Sequence, residues 1–328
     1  WGELPGPPPR YELARVRGPG KLWPLRLAMR LRSLDLSGYD SIILNDIGAC
    51  FVFGSFFGGS IHVRRAIVFL HGGEPVEVFL APHGYLRLTR FARRYARLLS
   101  GSKAVVAVSD YMKDYFLRHS PSGLDAAKIS VIYSGIDQEL FRPVESGLRG
   151  ELGIEEGASL LLSTGRITEE KGFPGMLSVF EELVAGDAGY AWVVVGTGPY
   201  ACELRSRADR SAVLKDRIIL RGYVERPELP AYYSSADLFW LLSAREGESF
   251  GLVYAEAQSC GCPALGLAMH GVNEAIENGV TGYLVSDERE CLALLRQHAY
   301  SGLDRRDIAS RASRWGTESS LERLEGLL

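Results

Sequence analysis

Cysteine is scarce and scattered: five in 328 residues, at positions 50, 202, 260, 262 and 291. An odd, dispersed set excludes a disulfide framework. The one close pair, Cys260-Gly261-Cys262, has no second pair or neighbouring His and makes a poor zinc site. The cysteines read as the reduced thiols of a cytoplasmic protein, and no metal is expected. Long apolar runs are also lacking, since nothing approaches the ~18 uncharged residues that span a bilayer. Residues 1–9 are rich in Pro and Gly and have neither the charged segment nor the apolar core of a secretory leader. A chain that opens on Trp1 leaves room for residues before it. There is no internal repeat and no low-complexity tract beyond that start. Hydrophobic residues make up 46% and charged residues 23%, which excludes disorder, collagen-like and coiled-coil chains. The length suits about two domains.

The net charge of −3 conceals an imbalance. Residues 1–144 carry 19 Lys/Arg against 12 Asp/Glu, whereas residues 145–328 carry 18 against 28. Near residue 145, Phe141-Arg142-Pro143 leads into a polar stretch before a new apolar run, so two domains are expected, 1–144 and 145–328, with the last helix free to pack back on the first. Short apolar runs bounded by turns predict strands at 41–44, 66–70, 104–108 and 129–132, then at 160–163, 192–195, 218–220, 238–242, 264–267 and 283–285. Helical patterns alternate with them at 86–99, 111–118, 176–184, 251–260, 289–297 and 319–327. Near-continuous apolar strands between helices imply parallel sheets covered on both faces. Two such units in tandem give an α/β chain of two doubly wound, Rossmann-like domains, with ligands at the carboxyl ends of strands in the cleft between them.

Four constellations follow strand ends. Gly165-Arg166-Ile167-Thr168-Glu169-Glu170-Lys171 places two cations five residues apart, able to grip a diphosphate; the alternative is a solvated loop with Lys171 paired to Glu169 or Glu170. Gly196-Thr197-Gly198-Pro199 permits a tight turn but lacks the third glycine of a dinucleotide fingerprint. Glu246-Gly247-Glu248-Ser249-Phe250-Gly251-Leu252 opens a helix that carries Glu256, and its free N–H groups offer an anion site. An acidic helix start would account for Glu248 through the dipole, but not for an acid two turns further on. His270-Gly271-Val272-Asn273-Glu274 adds a second ring of backbone donors.

Taken jointly, Arg166 to Lys171-Gly172, the Glu248/Glu256 pair around Phe250-Gly251-Leu252, and Gly271…Glu274…Gly279…Gly282 resemble glycosyltransferase family 4 over roughly residues 103–328. Ser134-Gly135-Ile136-Asp137 and Phe141-Arg142-Pro143 resemble its interdomain region. The resemblance implies a GT-B fold and metal-independent transfer of a sugar from a nucleotide-sugar, UDP- or GDP-linked, with retention and no cofactor. It implies that Arg166 and Lys171, with Gly165 in the loop, bind the donor diphosphate, that Glu248 binds the donor sugar and that Glu256 holds the ribose. Phe250, Gly251 and Leu252 would give backbone contacts, the Gly222-Tyr223-Val224 turn would line the base pocket, and His71 would stand near the donor sugar. The first half departs from the family pattern: no opening strand with a Gly-Gly loop precedes residue 41, which reads either as first elements that lie before Trp1 or as a shortened acceptor domain.

The basic first half points to an anionic partner. Arg87, Arg90, Arg94 and Arg97 recur at helical spacing, as do Arg26, Arg30 and Arg32 among leucines, as expected of helices lying on an anionic membrane at the cytoplasmic face. A core-facing apolar stripe with a solvated basic back is the alternative. No nucleic-acid-binding motif accompanies the charge. The acceptor class expected is a glycan or lipid-linked precursor of cell-surface polysaccharide, lipopolysaccharide or glycolipid. Two other readings stay open: another GT-B enzyme such as a nucleotide-sugar epimerase, and a non-catalytic binding subunit.

Overall fold

The computed structural model describes residues 23–120, 123–187, 189–244 and 248–328. The Pro-rich start and Glu246-Gly247 lie outside the described residues. The described strands are β1 Ile42–Leu44, β2 Ala66–Leu70, β3 Ala104–Ala107, β4 Ile129–Val131, β5 Ser159–Thr164, β6 Tyr190–Val195, β7 Ile218–Gly222, β8 Leu238–Leu241, β9 Ala264–Leu267 and β10 Gly282–Val285. They build two parallel sheets, ordered β1-β2-β3-β4 and β10-β9-β8-β5-β6-β7. This is the two-domain α/β GT-B architecture expected.

In the second sheet the chain steps from β5 outward through β6 to β7, then returns beside β5 and steps the other way through β8, β9 and β10. The winding reverses between β5 and β8, and in open parallel sheets a crevice forms outside the carboxyl ends at that point. These strands are apolar along their length because both faces are covered. Trp192 on β6 is fully buried among Phe180, Phe173 and Trp240, and its indole N–H donates to Ser163 Oγ at 3.0 Å.

The first sheet shows the two-residue period of a strand directly. Val68, Leu70, Val105 and Ala107 face a core that includes Val52, Tyr95 and Phe116 of the helices Ile47–Phe56, Phe91–Gly101 and Asp110–His119. Ile67, Ala104 and Val106 point the other way and, with Ile132, meet Leu324 and Leu327 at the end of the chain. The helix Thr317–Glu325 therefore returns to the first sheet. The chain crosses between the sheets twice, and the crossings run side by side: the Ile136 N–H donates to the Trp315 carbonyl at 2.7 Å and the Thr317 N–H to the Ile136 carbonyl at 3.0 Å.

One expectation is corrected. The pattern at 86–99 is not one helix but two, Gly84–Leu88 and Phe91–Gly101, separated at Arg90, whose φ of 52° is left-handed. Arg87 and Arg90 therefore do not continue the line of Arg94 and Arg97 along a single helix. Among the described residues no helix is long and apolar enough to cross a membrane.

Candidate functional site at the sheet's winding reversal

A cleft of about 330 Å³ opens where β5 and β8 end. The segment after β5 brings Gly165, Arg166 and Lys171 to it, the segment after β8 brings Glu248, Phe250, Gly251 and Leu252, and His71 reaches it from the end of β2. Residues of both sheets thus share one cavity. Lys171 sits on a single turn, Glu169–Lys171, yet its Nζ pairs with Glu248 Oε2 rather than with its acidic neighbours in sequence. Ser243 Oγ donates to the same oxygen at 3.0 Å. The Gly-rich turn at 196–199 braces the cationic loop, with the Ile167 N–H donating to the Thr197 carbonyl at 2.9 Å.

Gly251 caps the helix Leu252–Ser259 with a left-handed φ of 78°, a conformation that costs glycine least. Leu252 and Val253, at the start of that helix, line the cleft, and their N–H groups have no partner within the helix. Two cations and a helix start lining one concavity, with Glu248 paired to one of the cations, are an arrangement chemically able to receive an anion.

His71 is held from two directions. Its Nε2 lies 3.0 Å from Asn45 Oδ1, and its backbone N–H donates to Oε1 of the buried Glu74 at 2.8 Å. The N–H of Gly72 takes the other Glu74 oxygen at 2.7 Å, so one carboxylate shapes the turn that presents the imidazole.

Glu256 does not line the cleft. It is buried in the helix that Gly251 starts, and the cleft-lining Thr164 connects to it: Thr164 Oγ1 lies 2.7 Å from the Tyr233 hydroxyl, which donates to Glu256 Oε2 at 3.2 Å. Arg226 Nη2 approaches Oε1 at 3.3 Å. The Gly222-Tyr223-Val224 turn also lies outside the cleft lining, at the end of β7, where the Gly222 carbonyl accepts the Gly196 N–H at 2.7 Å and Tyr223 is exposed. Asn45, Tyr233 and Arg226 went unread in the sequence because no local spacing ties them to their partners, whereas Glu74 and Ser243, three and five residues from His71 and Glu248, were local enough to be read and were passed over.

Burial pushes the Glu256 carboxyl up from its ordinary value, and Arg226 and the Tyr233 hydrogen bond offset only part of that rise. The fold therefore prefers the protonated acid, and stability falls as pH rises through the raised folded-state value. Glu256→Gln is expected to melt at or above the wild-type temperature at neutral pH. The difference should close once pH drops below the ordinary carboxyl value of 4.5, where the acid is protonated folded or unfolded. Thermal melts of both proteins across pH check this; a Gln variant that melts below wild type at neutral pH would contradict it.

The family described as "Glycosyl transferases group 1" matches residues 145–307, and "Glycosyltransferase Family 4" matches residues 3–140. Among curated relatives, the alpha-monoglucosyldiacylglycerol synthase of Streptococcus pneumoniae is 31% identical over 183 residues, which is 56% of this chain and 40% of that protein. The lipopolysaccharide 1,2-N-acetylglucosaminetransferase of Salmonella typhimurium is 27% identical over 236 residues, 67% of this chain and 60% of that protein. The matched stretches thus span only 40% to 60% of these relatives. Among solved structures, Anabaena Alr3699/HepE in complex with UDP-glucose superposes with a TM-score of 0.72 at 22% identity, covering 93% of this chain and 82% of that one. Sucrose-phosphate synthase from Thermosynechococcus elongatus gives 0.75 at 21% identity, covering 94% and 78%. With both family matches laid end to end along a GT-B fold whose cleft holds Arg166, Lys171 and Glu248, the chain belongs to the family 4 type of glycosyltransferases.

Proposed function

We propose that the chain transfers a sugar, with retention, from a UDP- or GDP-sugar to a glycan or lipid-linked acceptor, without a metal. The observation that carries this reading is the convergence of Arg166, Lys171 and the helix start at Gly251 on the cleft at the winding reversal. Breaking the bond between the anomeric carbon and the diphosphate oxygen leaves negative charge on the phosphate. Fixed cations and N–H groups aimed there stabilise it without reorganising. Lys171, paired to Glu248 in this structure, would turn to the phosphate as Glu248 takes the sugar hydroxyls. His71 would face the sugar from the other sheet. The ribose and base would extend past this cavity toward the end of β7, where Glu256 would hold the ribose and the Gly222-Tyr223-Val224 turn the base.

In a front-side displacement the acceptor oxygen bonds to the anomeric carbon on the face the phosphate leaves, and its proton passes to a departing phosphate oxygen. Such a path needs no carboxylate nucleophile. Glu248, the carboxylate among the described cleft-lining residues, is engaged by Lys171 and Ser243, which supports this path over double displacement.

Calorimetric titration of UDP, GDP and ADP tests the donor site. One nucleotide is expected to bind selectively, and Arg166→Ala to weaken it by roughly 10- to 100-fold, the worth of a charge-assisted hydrogen bond or two. Binding of none of the three overturns the reading. Selective binding with no turnover on any donor would favour the non-catalytic subunit.

The acceptor reading rests on the first domain. Leu25 and Met29 are exposed on the helix Trp23–Arg32 beside Arg30 and Arg32, and Leu88 is 85% exposed next to Arg87. Exposed apolar side chains among arginines suit a cytoplasmic anionic leaflet. Flotation is expected with vesicles containing anionic lipid and not with neutral ones; equal absence from both removes the membrane from the proposal.

A further inference from the structure

Glu274 belongs to a motif named in the sequence, yet it contacts neither the cleft nor its cations. It lies in the short turn of helix Val272–Ala275 on the second domain and reaches across to the first. Its Oε2 accepts the Asp110 N–H at 2.9 Å and its Oε1 the Tyr111 N–H at 2.6 Å. These are the opening N–H groups of the ten-residue helix Asp110–His119, which have no partner within their own helix. A carboxylate placed there gains both hydrogen bonds and the favourable end of the helix dipole. The Tyr133 hydroxyl, on the segment joining the domains, is shared between Glu274 Oε2 at 2.7 Å and Asp110 Oδ2 at 3.0 Å. Burial first, then these two carboxylates, push the Tyr133 hydroxyl far up, so it stays a donor.

The same helix start touches the loop that carries Glu248. Ser109 Oγ, the helix cap, donates to the Ser249 carbonyl, and the Gly271 N–H donates to the Glu248 carbonyl at 3.2 Å. The Glu248–Phe250 loop is therefore clasped between a helix of one domain and the Glu274 turn of the other. The Tyr133 ring, 5.2 Å from that of Phe250, closes the third side.

We propose that Glu274 is a positioning residue: its carboxylate caps the first domain's helix Asp110–His119 from across the cleft, holding the domains docked and the Glu248 loop in its working place. The proposal rests on the donor-site reading above for its effect on turnover, but the docking itself does not depend on it. A carboxylate shared by two amides and a phenol from the facing domain has most of its bonding only in the docked state. Its loss should open the molecule without touching the residues assigned to the nucleotide.

The test compares wild type with Glu274→Gln, Glu274→Ala and Tyr133→Phe by small-angle scattering of the full chain, calorimetric nucleotide binding and turnover. Glu274→Gln keeps the shape but loses the charge and one acceptor. It is expected to enlarge the radius of gyration, leave UDP or GDP affinity within about threefold, and lower kcat about tenfold with little change in donor KM, the factor one charge-assisted hydrogen bond confers. Glu274→Ala should lose more of the same. Tyr133→Phe should lose less, and adding it to Glu274→Gln should change little further, because the two share one interaction. Unchanged scattering in both Glu274 variants overturns the proposal. So does a loss of nucleotide affinity as large as the loss of kcat, which would mark a merely structural role. If wild type binds no nucleotide, the function reading fails, while the scattering comparison still decides whether Glu274 docks the domains.

Discussion

Replacing Lys171 by Ala is expected to lower kcat/KM for release of nucleoside diphosphate from the donor by about a thousandfold, the upper range for removing one preorganised charge-stabilising group. Two effects add. In the proposed reaction the developing phosphate charge would lose one of its two cations, and Glu248 loses the partner that holds it. Ser243 Oγ alone then restrains the carboxylate. Lys171→Arg should recover little, because a planar fork does not reproduce a point charge on a flexible stem in a site built around one carboxylate oxygen. Steady-state kinetics on both variants, with nucleotide affinity measured beside them, check the expectation. A Lys171→Ala enzyme within tenfold of wild type would mean that Arg166 and the helix start carry the phosphate without it.

Gly271→Ala should be the next most damaging, for a different reason. The backbone there has φ −69°, which alanine adopts readily, so conformation is not the obstacle. Space is: a Cβ would run into the Ser249 carbonyl and lie 2.7 Å from the Phe250 nitrogen. Both belong to the loop that carries Glu248, and the same Ser249 carbonyl is already held by Ser109 Oγ. Overpacking of this kind costs about 1–3 kcal/mol. The kinetic loss should be larger than the stability loss implies, roughly a hundredfold in kcat, since displacing a positioned group by ~1 Å has that effect. Melting temperature and kcat measured on the same preparation separate the two; a loss of stability with kcat intact would show that the loop relaxes without moving Glu248.

The strands were legible because each is a short apolar run ended by a turn, and all ten described strands fall where such runs were read. The helix Ile47–Phe56 was not, since it is apolar nearly all round and has no polar face to reveal a period; its one signal is the Asp46 cap, which accepts the Ala49 N–H. The break at Arg90 was invisible for a related reason: a left-handed residue is usually announced by glycine, and here an arginine takes the turn. In the site, residue types and their places at strand ends could be read, but pairings could not. Lys171 stands beside Glu169 and Glu170 in the chain yet meets Glu248, 77 positions away. Glu274 and Tyr111 are 163 apart. Such contacts are set by strand order, which a linear pattern does not record.

The paired crossings near Ile136 and Gly316 have a mechanical consequence. A single tether lets two bodies swivel and twist freely. Two tethers hydrogen-bonded side by side, with Leu324 and Leu327 anchored on the far sheet, suppress most of those rotations. What remains is a door-like swing about a line through the crossings. A swing of that kind would carry His71 toward or away from Arg166 and Glu248 on a fixed arc, so the facing groups would return to the same register without having to search for it.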